Sequence, residues 1–531
     1  MSQKLKKADK VVIASLQGHV NFLASDKLEG RRAGSKGEML AADYISARFK
    51  EIGLVPKGDK NGWLQAFDIS EGLEMSKSSF LFLNGEELKT GEYFAFGGAP
   101  AKAIEAAPSI ALRESGVPWF LDLKEDLDSN KNNPHFDLRA AVIAHARDAA
   151  KKGATAFIIY NTGIVADNLK FDPREKSNES GIPIIYVSGK PARKYFSDEE
   201  AAVDIKLKMV SAEKKRPGHN VLGYLDNGAA NTVIIGAHFD HLGYGEDNNS
   251  MYRGTEKLIH NGADDNASGT AAMIELARML KVSGLKKNNY LFIAFSGEEL
   301  GLFGSKYFTE HPTIDLAKTN YMINMDMVGR LNDSSKAITI GGYGTSPAWG
   351  KIFTPASKKA LLVNKYDSSG SGPSDHTSFY RKDIPVLFFF TGTHTDYHKP
   401  GDDAEKINYT GQFHIVRYIY SVIEKADPMG KLAFTKTRET QMAGSQRFSV
   451  SLGIMPDYTF TGEGVRADGV SEGRAAQKAG ILTGDIIIQL GEHTINSMDT
   501  YMQALGKFKK SDKTIVKFRR GKEIKQAEVV F

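Results

Sequence analysis

The stretch that decides the fold runs from Asn231 to Arg330. It reads NTVIIGAHFDHLG (231–243), NGADDNASG (261–269), NYLFIAFSGEELG (289–301) and NYMINMDMVGR (320–330). Three of these four pieces are apolar runs that stop abruptly at acids or histidine, and the other is a polar loop opening a helix. A fifth piece, TGTHTDYHKPGDD (391–403), follows another apolar run, IPVLFFF (384–390). Strands that are apolar throughout belong to a sheet buried on both faces. A parallel sheet of this kind delivers its polar groups to one edge, where the strands stop. The pattern predicts a metal-dependent hydrolytic site along that edge.

Working outward, strand and helix alternate regularly after Pro217. Strand TVIIGA precedes helix SGTAAMIELARMLK, whose Ala271, Ile274, Leu276, Ala277 and Leu280 form an apolar side. Strand YLFIAF leads to helix ELGLFGSKYFTE, and strand NYMINMD to VGR. A helix near 347–360, strand PVLFFFT and helix YTGQFHIVRYIYSVIEKA complete the unit. This alternation predicts an α/β three-layer sandwich with a mainly parallel central sheet. Upstream, VVIASLQGHVNFLAS and KGEMLAADYISARFKEIGL have helical periodicity. Between them lies SDKLEGRRAGSKG (25–37), a Gly-rich charged loop whose composition fits a solvated connector and a place at the site's rim equally.

Residues 76–210 change texture. Short β-like runs (SSFLFL, AFIIYN, IPIIYVS) and one helix, DLRAAVIAHARDAAKKGA, are separated by charged loops, with no cluster of metal-ligand residues. They read as a β-rich insert that walls one side of the site. The α/β unit is then discontinuous, 1–75 and 211–430. A polar linker fills 431–447, and 448–531 form a small α+β unit ending in a hairpin that turns at Gly521-Lys522.

Composition narrows the chemistry. Lys+Arg 69 against Asp+Glu 64 leaves +5 over 531 residues, too little to indicate a nucleic-acid partner. There is no Cys, so thiolate sites, disulfides and a Cys nucleophile are excluded, and a zinc site must use His, Asp and Glu. No apolar run approaches the ~20 residues of a membrane span. The opening MSQKLKKADK shows no signal peptide.

His238 ends its strand two residues before Asp240. That spacing lets the Asp240 carboxylate approach the ring nitrogen not used for metal. His241 and His260 lack such support and read as non-ligands. In GADDNASG, Asp264 and Asp265 cannot be told apart by spacing. Glu298 and Glu299 repel each other unless a cation lies close. At a turn, neighbours point apart, so one can hold metal while the other faces water as a general base. Asp326, between Met325 and Met327, is costly to bury without a cation or donor. His398 has His394 and His376 as rivals.

HFDHLG, GADDNASG, SGEELGL, NMDMVG and YHKPGDD, in this order and spacing, resemble the di-zinc aminopeptidase family, whose relatives include glutamate carboxypeptidases and glutaminyl cyclases. The likeness covers Asn231 to Asp403, and DKLEGRRAGSKG is similar to the family's secreted bacterial members. The resemblance implies two Zn2+ per chain, held by His238, Asp265, Glu299, Asp326 and His398. Asp265 is the bridging carboxylate, counted three residues back from Ser268. The resemblance makes Glu298 the general base, Asp240 the residue orienting His238, and Tyr397 a group that steadies the oxyanion. It implies hydrolysis of the N-terminal bond of peptide substrates by an enzyme of the periplasm or exterior. KGATAFIIYNTG and IPIIYVS resemble an inserted protease-associated domain. The tail resembles a PDZ domain of the bacterial protease type, with Ser451–Ile454 as the loop receiving a peptide C-terminus. Its QLGEHTI departs from the usual Asn-Gly turn, because Leu490 precedes Gly491. The competing readings are a carboxypeptidase of the same fold, a glutaminyl cyclase, and a catalytically dead peptide-binding scaffold. A carboxypeptidase requires an Arg-rich pocket, and Arg330 alone does not make one.

Overall fold

The computed structural model describes residues 5–531 except 90, 97–102, 132, 134–135, 173–179, 248, 354–360, 438–449, 457–462, 471–472 and 497. Most of the linker expected at 431–447 thus lies outside the described residues, as does the second half of the helix expected at 347–360. The chain divides into two compact units, 1–67 with 217–531, and 68–216.

Among the described residues, one nine-stranded sheet is built from residues 55–75 and 211–390. Its strands are β1 (Val55–Pro56), β2 (Leu64–Met75), β3 (Ser211–Leu225), β4 (Asn231–His238), β5 (Asn288–Phe295), β6 (Thr319–Met325), β7 (Ala337–Gly341), β8 (Val363–Tyr366) and β9 (Val386–Phe390). They lie in the order β1-β3-β5-β4-β6-β9-β7-β8, with β2 on β3. The central strands β5, β4, β6 and β9 are mutually parallel, and β3 and β7 join them antiparallel.

Every residue of β5 is buried, and all of β4 after Asn231. Side chains alternate between faces, so the apolar runs fill two cores. Val233, Ile235 and Ala237 of β4, with Tyr290, Phe292 and Ala294 of β5, enter one core. Ile234, Leu291, Ile293 and Phe295 enter the other. Helices α1 (Lys7–Leu23), α2 (Lys36–Ile52), α3 (Gly269–Lys281) and α7 (Tyr409–Ala426) cover the first face. Helices α4 (Phe303–Glu310) and α6 (His376–Tyr380) cover the second, and α5 (Pro347–Ile352) adds Trp349 and Ile352 to the first. This is the three-layer α/β sandwich. Helix α3 is buried nearly all round because α1, α2 and α7 pack against it.

The described residues of 450–530 gather round their own core of Leu452, Ile487, Leu490, Val516 and Phe518. Their last two strands, Lys513–Arg520 and Glu523–Val530, pair antiparallel about Gly521-Lys522. Among the described residues, the second unit holds two four-stranded sheets and the helices Lys124–Asn130, Leu138–Lys151 and Gly189–Phe196. One sheet, built from 80–83, 86–87, 103–106 and 205–208, is antiparallel throughout. Among the described residues, no helix is long and apolar enough to cross a membrane.

Candidate metal centre

The strand register brings the sequence-distant acids together. His238 closes β4 and pairs in parallel register with Phe295, the last residue of β5. Asp326 directly follows β6, the other neighbour of β4. Glu298 and Glu299 occupy the turn after β5, where Gly301 and Leu302 N–H groups donate to the Glu298 carbonyl. Helix α4 therefore starts at Phe303, not at Glu299 as the sequence pattern suggested.

Asp265 comes from the loop before α3. Gly262 there has φ +56°, and a Cβ on it would lie 2.1 Å from the Asp265 carbonyl oxygen. Gly269 opens α3 against β6, where a Cβ would meet the Met325 carbonyl at 2.4 Å. Only glycine fits both places. Asn266 locks this loop to the Asp326 segment: its amide donates to the Met325 carbonyl at 2.9 Å, and its oxygen accepts from Met327 and Gly269 N–H. Asn266→Ala removes the side-chain partner of the buried Met325 carbonyl and Met327 N–H, while Gly269 N–H keeps its bond to the Asn266 carbonyl. We expect a stability loss of about 3 kcal/mol, read as a lower denaturation midpoint of the metal-free protein.

Two clusters share Asp265. In the first, His238 Nε2 lies 3.3 Å from Asp265 Oδ1 and 3.3 Å from Asp326 Oδ1. Ser374 Oγ donates to the other Asp326 oxygen at 2.8 Å. In the second, His398 Nε2 lies 3.3 Å from Asp265 Oδ2 and 3.1 Å from Glu299 Oε2. His398 Nδ1 bonds the Asn249 carbonyl at 3.1 Å. Glu298 Oε2 is 3.9 Å from His238 Nε2. The five residues expected to hold metal, and the expected base, converge on one place.

Two details differ from the sequence pattern. His238 Nδ1 lies closer to the Asp240 carbonyl, at 3.2 Å, than to its carboxylate, at 3.7 Å. The Asp240 carboxylate instead accepts the Glu298 backbone N–H. His241, read as a non-ligand, lies in the second cluster with Nδ1 2.7 Å from Glu299 Oε1. The strand ends at His238, so alternation no longer governs where His241 points. Asp264 turns away from the clusters: Oδ1 accepts Gly329 N–H at 2.6 Å and Ser268 Oγ at 2.9 Å.

The rival histidines lie elsewhere. His394 faces Asp264 at 3.3 Å, and His260 bonds Ser250 at 2.7 Å. His376 stacks on Phe388, and burial pushes its pKa down to about 3, so its imidazole is neutral. Tyr397 stacks on the His398 ring with centroids 3.9 Å apart.

Burial raises the Glu298 carboxyl well above its usual range. Asp326 and Glu299 reinforce that shift, and His238 opposes it. Glu299, held by His398 and His241 against its burial, falls to about 2. Among the described residues, Asp265, Glu298, Glu299 and Asp326 form no ion pair with Lys or Arg. Buried carboxylates so placed are costly without a cation. The donor set is all carboxylate and imidazole, and it fits a divalent metal. Two overlapping groups, His238–Asp265–Asp326 and His241–Asp265–Glu299, have the ligand spacing for an ion. Beside them opens a cavity of about 360 Å³, lined by Met327, Phe388, Phe390, Tyr397 and His376 as well as the acids.

An α/β sheet that sets two histidine-and-carboxylate groups around one shared aspartate belongs to the class of metal-binding α/β proteins. Residues 220–423 match the model of peptidase family M28, and residues 442–530 match the PDZ domain. The chain therefore carries an M28 peptidase domain followed by a PDZ domain. It is 26% identical over 403 residues to aminopeptidase YwaD of Bacillus subtilis, covering 72% of this chain and 78% of that protein. It is 30% identical to leupeptin-inactivating enzyme 1 of Streptomyces exfoliatus over 36% of this chain, spanning only 39% of that relative. A solved structure of an aminopeptidase from Aneurinibacillus sp. strain AM-1 aligns with 23% identity and a TM-score of 0.42, covering 80% of this chain and 95% of that one.

Proposed function

We propose that the chain is a zinc aminopeptidase that holds two Zn2+ and removes the N-terminal residue of peptides. The observation that carries this reading is the placement of Asp265. Its two carboxylate oxygens face different histidines, each with its own further acid: His238 with Asp326, and His398 with Glu299. His398 donates its Nδ1–H to Asn249, which leaves the Nε2 lone pair facing Asp265 and Glu299, the form a ligand takes. His241, donating to Glu299, orients that carboxylate.

Zinc held there supplies a Lewis acid and lowers the pKa of water. The remaining chemistry falls to the protein. Glu298 takes the proton of the attacking water and returns it to the leaving amine. Its backbone is fixed through Asp240, and its carboxyl pKa, raised by burial, drops again when a cation sits beside it. Tyr397, packed on His398, steadies the oxyanion. The acid-rich floor favours a substrate's free ammonium group, whereas among the described residues no Arg or Lys lines the cavity to receive a substrate carboxylate. This favours an aminopeptidase over a carboxypeptidase. The PDZ loop Ser451–Ile454 takes a peptide C-terminus, and amidating that terminus should abolish binding in a fluorescence titration.

Dialysis against a chelator should abolish release of amines from aminoacyl amides, and added zinc should restore it. Elemental analysis should give two zinc ions per chain. Equal cleavage of N-acetylated peptides defeats the exopeptidase assignment.

A further inference from the structure

The loop Ser25–Gly37 is no solvated connector. It forms a short turn, Asp26–Arg31, in which Leu28, Gly30 and Arg31 are buried. Arg31 is fully buried, at 0% exposure, yet it forms no ion pair among the described residues. Its guanidinium donates only to backbone carbonyls. Nε reaches Phe239 at 2.7 Å, Nη1 reaches Leu23 and, at 2.7 Å, Asn261, and Nη2 reaches Gly262 at 3.0 Å. Phe239 sits between His238 and Asp240, and Gly262 opens the Asp265 loop. One side chain thus joins the two loops that present His238 and Asp265. Its own carbonyl accepts the His241 N–H at 3.2 Å.

The Asp265 loop is held from its other end by an anion. Asp402, also at 0% exposure, accepts the N–H groups of both Asp264 and Asp265 through Oδ2, each at 3.0 Å. Its backbone carbonyl accepts Ala263 N–H at 2.9 Å. A cation therefore grips the carbonyls of 261 and 262 while an anion grips the N–H groups of 264 and 265. The carboxylates of Asp240, Asp265, Asp402 and Glu299 all act on the Arg31 charge.

We propose that Arg31 and Asp402 are positioning residues of the metal centre, which set the spacing of His238 and Asp265 by clamping their loops. The proposal rests on the metal-peptidase reading. Arg31 serves because its planar fork reaches four carbonyls at once; the single nitrogen of lysine cannot span them. Bonds from N–H groups to the ionised Asp402 are stronger than bonds to a neutral amide.

The test uses the full chain as native protein, Arg31→Lys and Asp402→Asn. Zinc dissociation constants are measured by chelator competition, alongside the thermal midpoint of each metal-free protein. Arg31→Lys should fold with a lowered midpoint, since lysine leaves some of the buried carbonyls unbonded, and bind zinc 10–100-fold more weakly, the usual effect of losing a group behind the ligands. A folded Arg31→Lys with native zinc affinity overturns the proposal. Should Arg31→Lys fail to fold, Asp402→Asn decides: zinc binding weakened at least about tenfold supports the clamp, and native binding overturns it. A native chain that binds no zinc overturns the metal-site reading itself, an outcome distinct from failure of the clamp.

Discussion

Glu298→Gln should leave both zinc ions in place and cut turnover by ~100-fold or more. The amide has nearly the shape of the carboxyl but cannot accept a proton and pass it on. The geometry explains why metal should stay. Glu298 lies 3.9 Å from His238 Nε2, outside both groups with ligand spacing. Its backbone N–H, which ties it to Asp240, is untouched by the substitution. The variant also removes one of several crowded buried carboxylates, so its metal-free stability should not fall. Zinc content by elemental analysis, read beside kcat, separates the two roles: loss of zinc makes Glu298 a ligand, and near-native kcat removes it as the base.

How much of this was legible in the sequence depends on what each residue's neighbours are. β4 and β5 were readable because a strand buried on both faces admits only apolar side chains, and His238 and Asp326 stood out as polar groups where such runs stop. The choice between Asp264 and Asp265 was not readable from spacing. Adjacent residues in a loop carry no fixed direction, and only the contacts of Asp264 with Gly329 and Ser268 show that it turns inward. His241 was missed because the chain leaves strand geometry at His238, and period-two reasoning fails one residue later. Arg31 was illegible for another reason. Its partners are backbone carbonyls, which have no signature in sequence, and three of them lie more than 200 positions away. The same charged, Gly-rich composition describes a solvated loop and a buried clamp.

Asp265→Asn should weaken zinc binding by more than about 100-fold, beyond the 10–100-fold typical of groups behind the ligands, and abolish detectable hydrolysis. The argument is one of charge and of shared position. Both oxygens of Asp265 are engaged, one toward His238 and one toward His398, so the amide loses the anion and turns an NH2 toward one of the two histidines. That NH2 cannot coordinate, and it meets the lone pair side of a neutral imidazole only by giving up the cation's place. Asp326→Asn touches one cluster only and should cost one zinc ion, with the second retained. Metal stoichiometry therefore discriminates the shared carboxylate from the terminal one: Asp265→Asn should drop both ions together, Asp326→Asn a single one. Retention of one zinc ion at native affinity in Asp265→Asn would show that the aspartate serves a single site and that the two clusters are independent.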